Sequence, residues 1–183
     1  MDKINPESNF HHNEDRVDPS RLGNIIYFTG EITETSSYKF IYLLHQLEGE
    51  KSKTSDKDCA IRINSVGGSC TSGLLMYDAL RSSSLDISII ASGFIPSSAT
   101  IVLLCAEKRF CTQNTNFLVH PVPSFMFGRL PDVKNQLAYG EILESQFVNI
   151  YQKHTKITKE MMQQETYFDS EKALNLQLIS KII

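Results

Sequence analysis

Two apolar stretches of β character each run into a glycine turn, and an apolar pattern at helical spacing follows each turn. The first is Ala60 to Asn64, then Gly67-Gly68, then Ser72 to Arg81 with Leu74, Leu75, Tyr77 and Leu80 in helical register. The second is Ile87 to Ala91, then Gly93, then a helix from about Ser97 to Cys105. Upstream, Asn24 to Phe28 reads as a strand ended by Gly30, and Phe40, Leu43, Leu44 and Leu47 recur at helical spacing between Ser37 and Leu47. The polar run Glu48 to Lys57 reads as a loop or a frayed helix end.

Downstream, Arg109-Phe110 and Phe117 to Val119 read as two further strands, and Pro121 to Gly128 as an irregular extended segment. A long helix is predicted from about Pro131, a proline suited to a first helical turn, to Lys153. Short helices around Thr158 to Gln164 and Ser170 to Asn175 precede a last strand, Leu178 to Ile183. Strands alternating with helices predict an α/β fold with mostly parallel strands. Residues 1–23 read as a flexible polar arm and 24–183 as a single domain, with the long helix as the one projecting element.

Composition narrows the classes. A chain of 183 residues with 41% hydrophobic content is long enough to bury a full core. Its net charge of −3, with Lys and Arg scattered, gives no footprint for nucleic acid or an anionic membrane surface. No apolar run is long enough to span a bilayer, and the polar start lacks the apolar core of a signal peptide, so a cytoplasmic setting is expected. The four cysteines, at 59, 70, 105 and 111, have no zinc spacing. Cys105 and Cys111 flank a turn and could approach, but buried free thiols fit a reducing compartment better. His11-His12 reads as part of a solvated tail rather than a metal site.

The chemistry gathers at the turns. Ser97 falls where a strand-turn-helix would place it at a helix N-terminus, whose free N–H groups and dipole favour an oxyanion. Pro96 before it sharpens the entry into that helix. The competing reading is an ordinary N-cap. His120 ends an apolar strand, where a histidine is either a base or a satisfied edge residue. Gly67-Gly68 is either a tight turn or a close backbone approach that presents the Gly68 N–H. A hydroxyl, an imidazole and a backbone-amide cradle are together the parts of an acyl-transfer site.

These residues carry a family resemblance. Ile63-Asn64-Ser65-Val66-Gly67-Gly68-Ser69, with Gly73, Tyr77 and Asp78, resembles the glycine-turn segment of the Clp protease proteolytic subunit family. The family pattern then runs without a gap to Ser97, on the nucleophile position, and Phe117-Leu118-Val119-His120-Pro121 puts His120 on the catalytic histidine. Lys108-Arg109-Phe110, Ile25 to Ile32, Glu141-Ile142-Leu143 and Lys153-His154-Thr155 match further segments, so the likeness covers roughly residues 24–183.

The resemblance implies a crotonase-like spiral of ββα units with a projecting handle helix. It implies heptameric rings stacked as a tetradecamer, an AAA+ unfoldase partner and unfolded polypeptides as substrates. It implies a serine endopeptidase in which Ser97 attacks, His120 is the base, and the Gly68 and Ser98 N–H groups hold the oxyanion, with no cofactor and no metal. Glu165 takes the position of the orienting carboxylate, where the family has aspartate. Asp169 is the nearby alternative and also reads as an N-cap.

Several positions depart from the family. Val66 replaces a proline, Gln164 an arginine at the ring–ring contact, and Phe125 and Phe127 stand where glycines are usual. The last two either reshape the cleft, where substrate is expected to add as a strand, or add packing. Ala60 and Arg62 replace aromatics of the unfoldase-docking surface, which points to an altered docking face or to a second Clp-type subunit in the ring. Two alternatives stay open: a catalytically weak structural or regulatory subunit of a mixed ring, and a crotonase-type CoA enzyme. No lysine is evidently placed to replace His120, with Lys108 the one to keep in view.

Overall fold

The strand β2, Ile25–Ile32, alternates inward and outward side chains over most of its length, burying Ile26, Phe28 and Ile32. It lies in a six-stranded sheet seen in a computed structural model that describes residues 19–123 and 126–183. His11, His12 and most of the expected arm lie outside the described residues, as does Phe125. The end of that arm is a strand: β1, Ser20–Leu22, pairs antiparallel with β2.

From β2 the chain enters α1, Glu34–Lys51, through a Thr33 cap whose hydroxyl accepts the Ser36 N–H while Ser36 Oγ takes the Thr33 N–H. The helix extends into the polar run as far as Lys51, because Leu47 is buried and Lys51 packs in to meet Asp56 at 2.8 Å, and residues 52–57 form the expected loop. Next, β3, Asp58–Gly68, runs parallel to β2. It buries Cys59, Ile61, Ile63, Ser65 and Gly67 and turns Arg62, Asn64 and Val66 outward, the period-two pattern of a half-buried strand. It therefore carries both glycines of the expected turn at its end. α2, Cys70–Ser82, is capped by Ser69.

β4, Asp86–Ala91, and β6, Lys108–Cys111, extend the parallel sheet, and β9, Lys181–Ile182, closes its far edge. A second sheet has three short strands in the order β5, Phe94–Pro96, then β7, Asn116–Val119, then β8, Thr166–Phe168. β5 runs parallel to β7, and β8 antiparallel to it. Between β5 and β6 lies α3, Ser98–Leu103, every residue of which is buried. α4, Leu130–His154, buries only Phe147, Val148 and Tyr151, all near its C-terminal end. Its earlier turns stand clear of the core with Leu137 and Ile142 exposed, which is the geometry expected of a handle. Pro131 sits in the first turn as the sequence predicts. The short α5, Lys159–Met162, and α6, Ser170–Asn175, lead back to the sheet.

The four cysteines are free, three of them buried. Burial pushes the thiols of Cys59 and Cys111 up to about 11 and that of Cys105 to about 12. No helix among the described residues is long and apolar enough to cross a membrane.

Candidate active site

Ser97, His120 and Glu165 each lie one residue beyond the paired part of a strand, at the same end of the small sheet. β5 ends at Pro96, opposite Leu118, and the ladder continues as the Ser97 N–H donates to the Leu118 carbonyl at 2.9 Å. β7 ends at Val119, which pairs with Thr166, the first residue of β8. One further step of that antiparallel register sets His120 opposite Glu165. The parallel register of β5 sets Ser97 opposite Val119, the residue before His120, and neighbouring strands are about 4.8 Å apart, so the three residues gather at one end of the sheet. Their order is that of the strands.

The backbone at Ser97 is unusual. It has φ 57° and ψ −134°, and Gln177 is the only other described non-glycine residue with positive φ. Such a conformation costs about 1–3 kcal/mol and persists only where the surroundings enforce it. Three contacts do so here. Ser97 N–H is held by Leu118, its carbonyl accepts from Thr100 Oγ1 at 2.6 Å, and Gly67 packs against it. Ser97 occupies the N-cap position of α3, yet its side chain makes no capping hydrogen bond. The ordinary N-cap reading leaves this hydroxyl unexplained.

Two glycines make the close approach possible. A Cβ on Gly67 would meet the Pro96 carbonyl oxygen at 2.8 Å and Ser97 Cβ at 2.9 Å. A Cβ on Gly73 would meet Ser98 Cβ at 2.8 Å, so α2 also packs tightly on the start of α3. Ser98 is fully buried and donates its hydroxyl to the Gly68 carbonyl at 3.3 Å, tying the two turns together. As the first residue of α3, Ser98 has an N–H without an i−4 carbonyl to bond. Gly68, at φ +142°, is itself pressed against Ile32 of β2.

His120 is half-buried, and its Nδ1 lies 2.7 Å from the Pro121 carbonyl oxygen. A carbonyl can only accept, so Nδ1 carries the proton and Nε2 of the neutral ring keeps its lone pair. That is the tautomer a general base requires. Glu165 is exposed and accepts from the Tyr167 hydroxyl at 3.3 Å. Among the described residues no hydrogen bond joins Ser97, His120 and Glu165 to one another. Asp169 caps α6 by accepting the Lys172 N–H at 2.7 Å. In the register it falls opposite Asn116, at the far end of β7 from His120.

Phe127 does not join the core; its side chain is 78% exposed. Its backbone is paired by a side chain instead. Gln136 Nε2 donates to the Phe127 carbonyl at 2.9 Å, and the Phe127 N–H donates to Gln136 Oε1 at 3.2 Å. Sequence reasoning passed over Gln136, Thr100 and Tyr151, whose roles depend on partners distant in the chain. Thr100 donates to Ser97, so the buried Tyr151 hydroxyl is the donor to Thr100 Oγ1. Lys108 is occupied at the sheet surface by Asp86, 2.5 Å away. Among the described residues no group of three or more His, Cys, Asp or Glu side chains is gathered for a metal.

With this geometry in place, the comparisons with known proteins agree with each other. The family model described as Clp protease matches residues 14–183. The curated ATP-dependent Clp protease proteolytic subunit 1 of Streptomyces avermitilis is 28% identical over 185 residues, covering 97% of this chain and 82% of that protein.

Proposed function

This chain belongs to the Clp protease family, and from that premise we propose that it is a serine endopeptidase subunit cleaving unfolded polypeptides in an ATP-dependent, cytoplasmic assembly. The observation that supports it most is the lateral order Ser97, His120, Glu165 at one end of the β5–β7–β8 sheet. In this reading Ser97 Oγ attacks the scissile carbonyl as His120 Nε2 takes its proton. The N–H groups of Gly68 and Ser98 receive the oxyanion. The imidazolium then protonates the leaving amine, and a water activated by His120 hydrolyses the acyl-enzyme. Glu165 takes over the Nδ1–H that the Pro121 carbonyl holds in this conformation.

The assembly proposed is a heptameric ring, stacked as a tetradecamer and fed by an AAA+ unfoldase, with a second Clp-type subunit as an optional ring member. The clear-standing turns of α4, with exposed Leu137 and Ile142, support self-association there. The exposed Arg62 on β3 supports an altered docking face for the unfoldase.

Fluorophosphonate labelling followed by intact mass tests the reading. One adduct on the wild type, none on Ser97→Ala and much slower labelling of His120→Ala are expected. An unlabelled wild type, in a preparation that light scattering shows to be ring-assembled, would leave a non-catalytic wall subunit of a mixed ring.

A further inference from the structure

The outer face of the β5–β7–β8 sheet carries an aromatic pair that the proposed acyl transfer does not use. Phe94 of β5 and Tyr167 of β8 stack across the central strand, with ring centroids 6.4 Å apart and planes 9° from parallel. Leu118, which pairs with Tyr167 in the ladder, is buried on that face. Yet the rings themselves stay 40% and 63% exposed. Burial alone does not account for a stacked pair kept in contact with water.

What the stack holds is a hydroxyl. Tyr167 lies two residues after Glu165 along an extended strand, so the two side chains project to the same side. The Tyr167 hydroxyl donates to Glu165 Oε2, the one hydrogen bond to that carboxylate among the described residues. A glutamate has one more rotor than an aspartate, and at an exposed strand end that rotor is free to carry the carboxylate away from the imidazole. An ionised carboxylate accepts on both oxygens. Tyr167 takes Oε2 and leaves Oε1 for the Nδ1–H of His120, the residue opposite.

We infer that Tyr167, braced by Phe94, is a positioning residue that fixes the Glu165 carboxylate on the His120 side of the strand. The inference rests on the assignment of Ser97, His120 and Glu165 proposed above. It also gives a reason for glutamate at this position: the longer side chain is workable where a neighbouring phenol removes its extra freedom.

The test measures the rate of fluorophosphonate labelling of Ser97 against pH, on the full chain in its assembled form. Tyr167→Phe keeps the stack and deletes the hydroxyl. It is expected to slow labelling about fivefold, the scale of one ordinary hydrogen bond. It should also move the acid limb of the pH–rate profile down, toward that of Glu165→Gln, since an imidazolium with less carboxylate support loses its proton at lower pH. Phe94→Leu is expected to shift rate and profile in the same direction by less, and Phe94→Tyr to restore both. In a Glu165→Gln background neither Tyr167→Phe nor Phe94→Leu should slow labelling further, because both act through that carboxylate. Tyr167→Phe labelling at the wild-type rate with an unmoved profile overturns the inference, and so does additional slowing on top of Glu165→Gln. A wild type that fails to label, or a Ser97→Ala variant that labels as well, removes the Ser97–His120 assignment first and this inference with it.

Discussion

The Cβ that Gly67 lacks would stand 2.9 Å from the Cβ of Ser97. No ordinary Cβ contact is that close, and the other atom in the way is the Pro96 carbonyl oxygen at 2.8 Å, part of a backbone that cannot swing aside. Gly67 also has φ +78°, a conformation that disfavours any side chain.

Gly67→Ala should therefore act on the nucleophile as well as on stability. The expected loss is about 1–3 kcal/mol in chemical denaturation, with labelling of Ser97 slowed at least tenfold under conditions where the protein is folded. A variant that loses stability but labels normally would separate the glycine's packing from the site.

Two acidic residues four positions apart make opposite predictions. Asp169→Ala removes the α6 cap and should cost about 1 kcal/mol of stability, leaving the labelling rate of the folded protein unchanged. Glu165→Gln alters an exposed side chain with no capping role, so thermal unfolding should hardly move while labelling slows. Measuring both quantities on both variants decides which carboxylate serves His120. The reverse pattern would hand the role to Asp169.

The order of long helices and strands was legible because each carries its own periodicity over many residues. Helical spacing marked α1 and α2, a first-turn proline marked the start of α4, and the apolar runs marked β3, β4 and β7. The strands β1, β5 and β8 were missed because three residues cannot display an alternation. Two of those three flank His120 in the small sheet. The positions of Ser97 and His120 were thus readable from motif and spacing, while the lateral order that brings Glu165 opposite His120 was not. It depends on pairing Val119 with Thr166, a contact that no local pattern encodes. The same holds for the stack of Phe94 on Tyr167, and for Gln136 acting as a strand partner to Phe127. The residue at which α1 ends was left open for a related reason. A polar run looks frayed until Lys51 finds Asp56 and Leu47 finds the core.

His154 gives a stability prediction with a definite sign. Its Nε2 lies 2.9 Å from the Tyr77 hydroxyl, joining the end of α4 to α2. Burial, and then the charges of Arg109, Lys153 and Arg81, lower its pKa below the ordinary histidine value, with Glu107 opposing. The unfolded chain therefore takes up a proton at higher pH than the folded one. The stability held by the neutral ring is complete above about pH 6.5 and is lost as pH falls through the folded-state value. Wild-type Tm should fall more steeply than that of His154→Gln between about pH 7 and about pH 5. Parallel curves would mean that the ring does not titrate against folding.

Tyr151 links the handle to the nucleophile through one intermediary. It is buried at the base of α4 and donates to Thr100 Oγ1, which donates in turn to the Ser97 carbonyl at 2.6 Å. Tyr151→Phe removes the first bond and leaves the second, so it should cost about 1–2 kcal/mol with Ser97 still held. Thr100→Val removes both, strands the Tyr151 hydroxyl in the core and leaves the Ser97 carbonyl with only the Thr100 backbone N–H, at 3.0 Å, of its two Thr100 donors. It should cost at least as much stability and, unlike Tyr151→Phe, slow labelling of the folded protein severalfold. In the double variant the stability losses should fall short of their sum, because the two side chains share one bond. Urea denaturation of the four proteins, read beside their labelling rates, checks both points. Equal labelling by Thr100→Val and the wild type would show that the Ser97 conformation is enforced by Gly67 and Leu118 without help from this chain of hydroxyls.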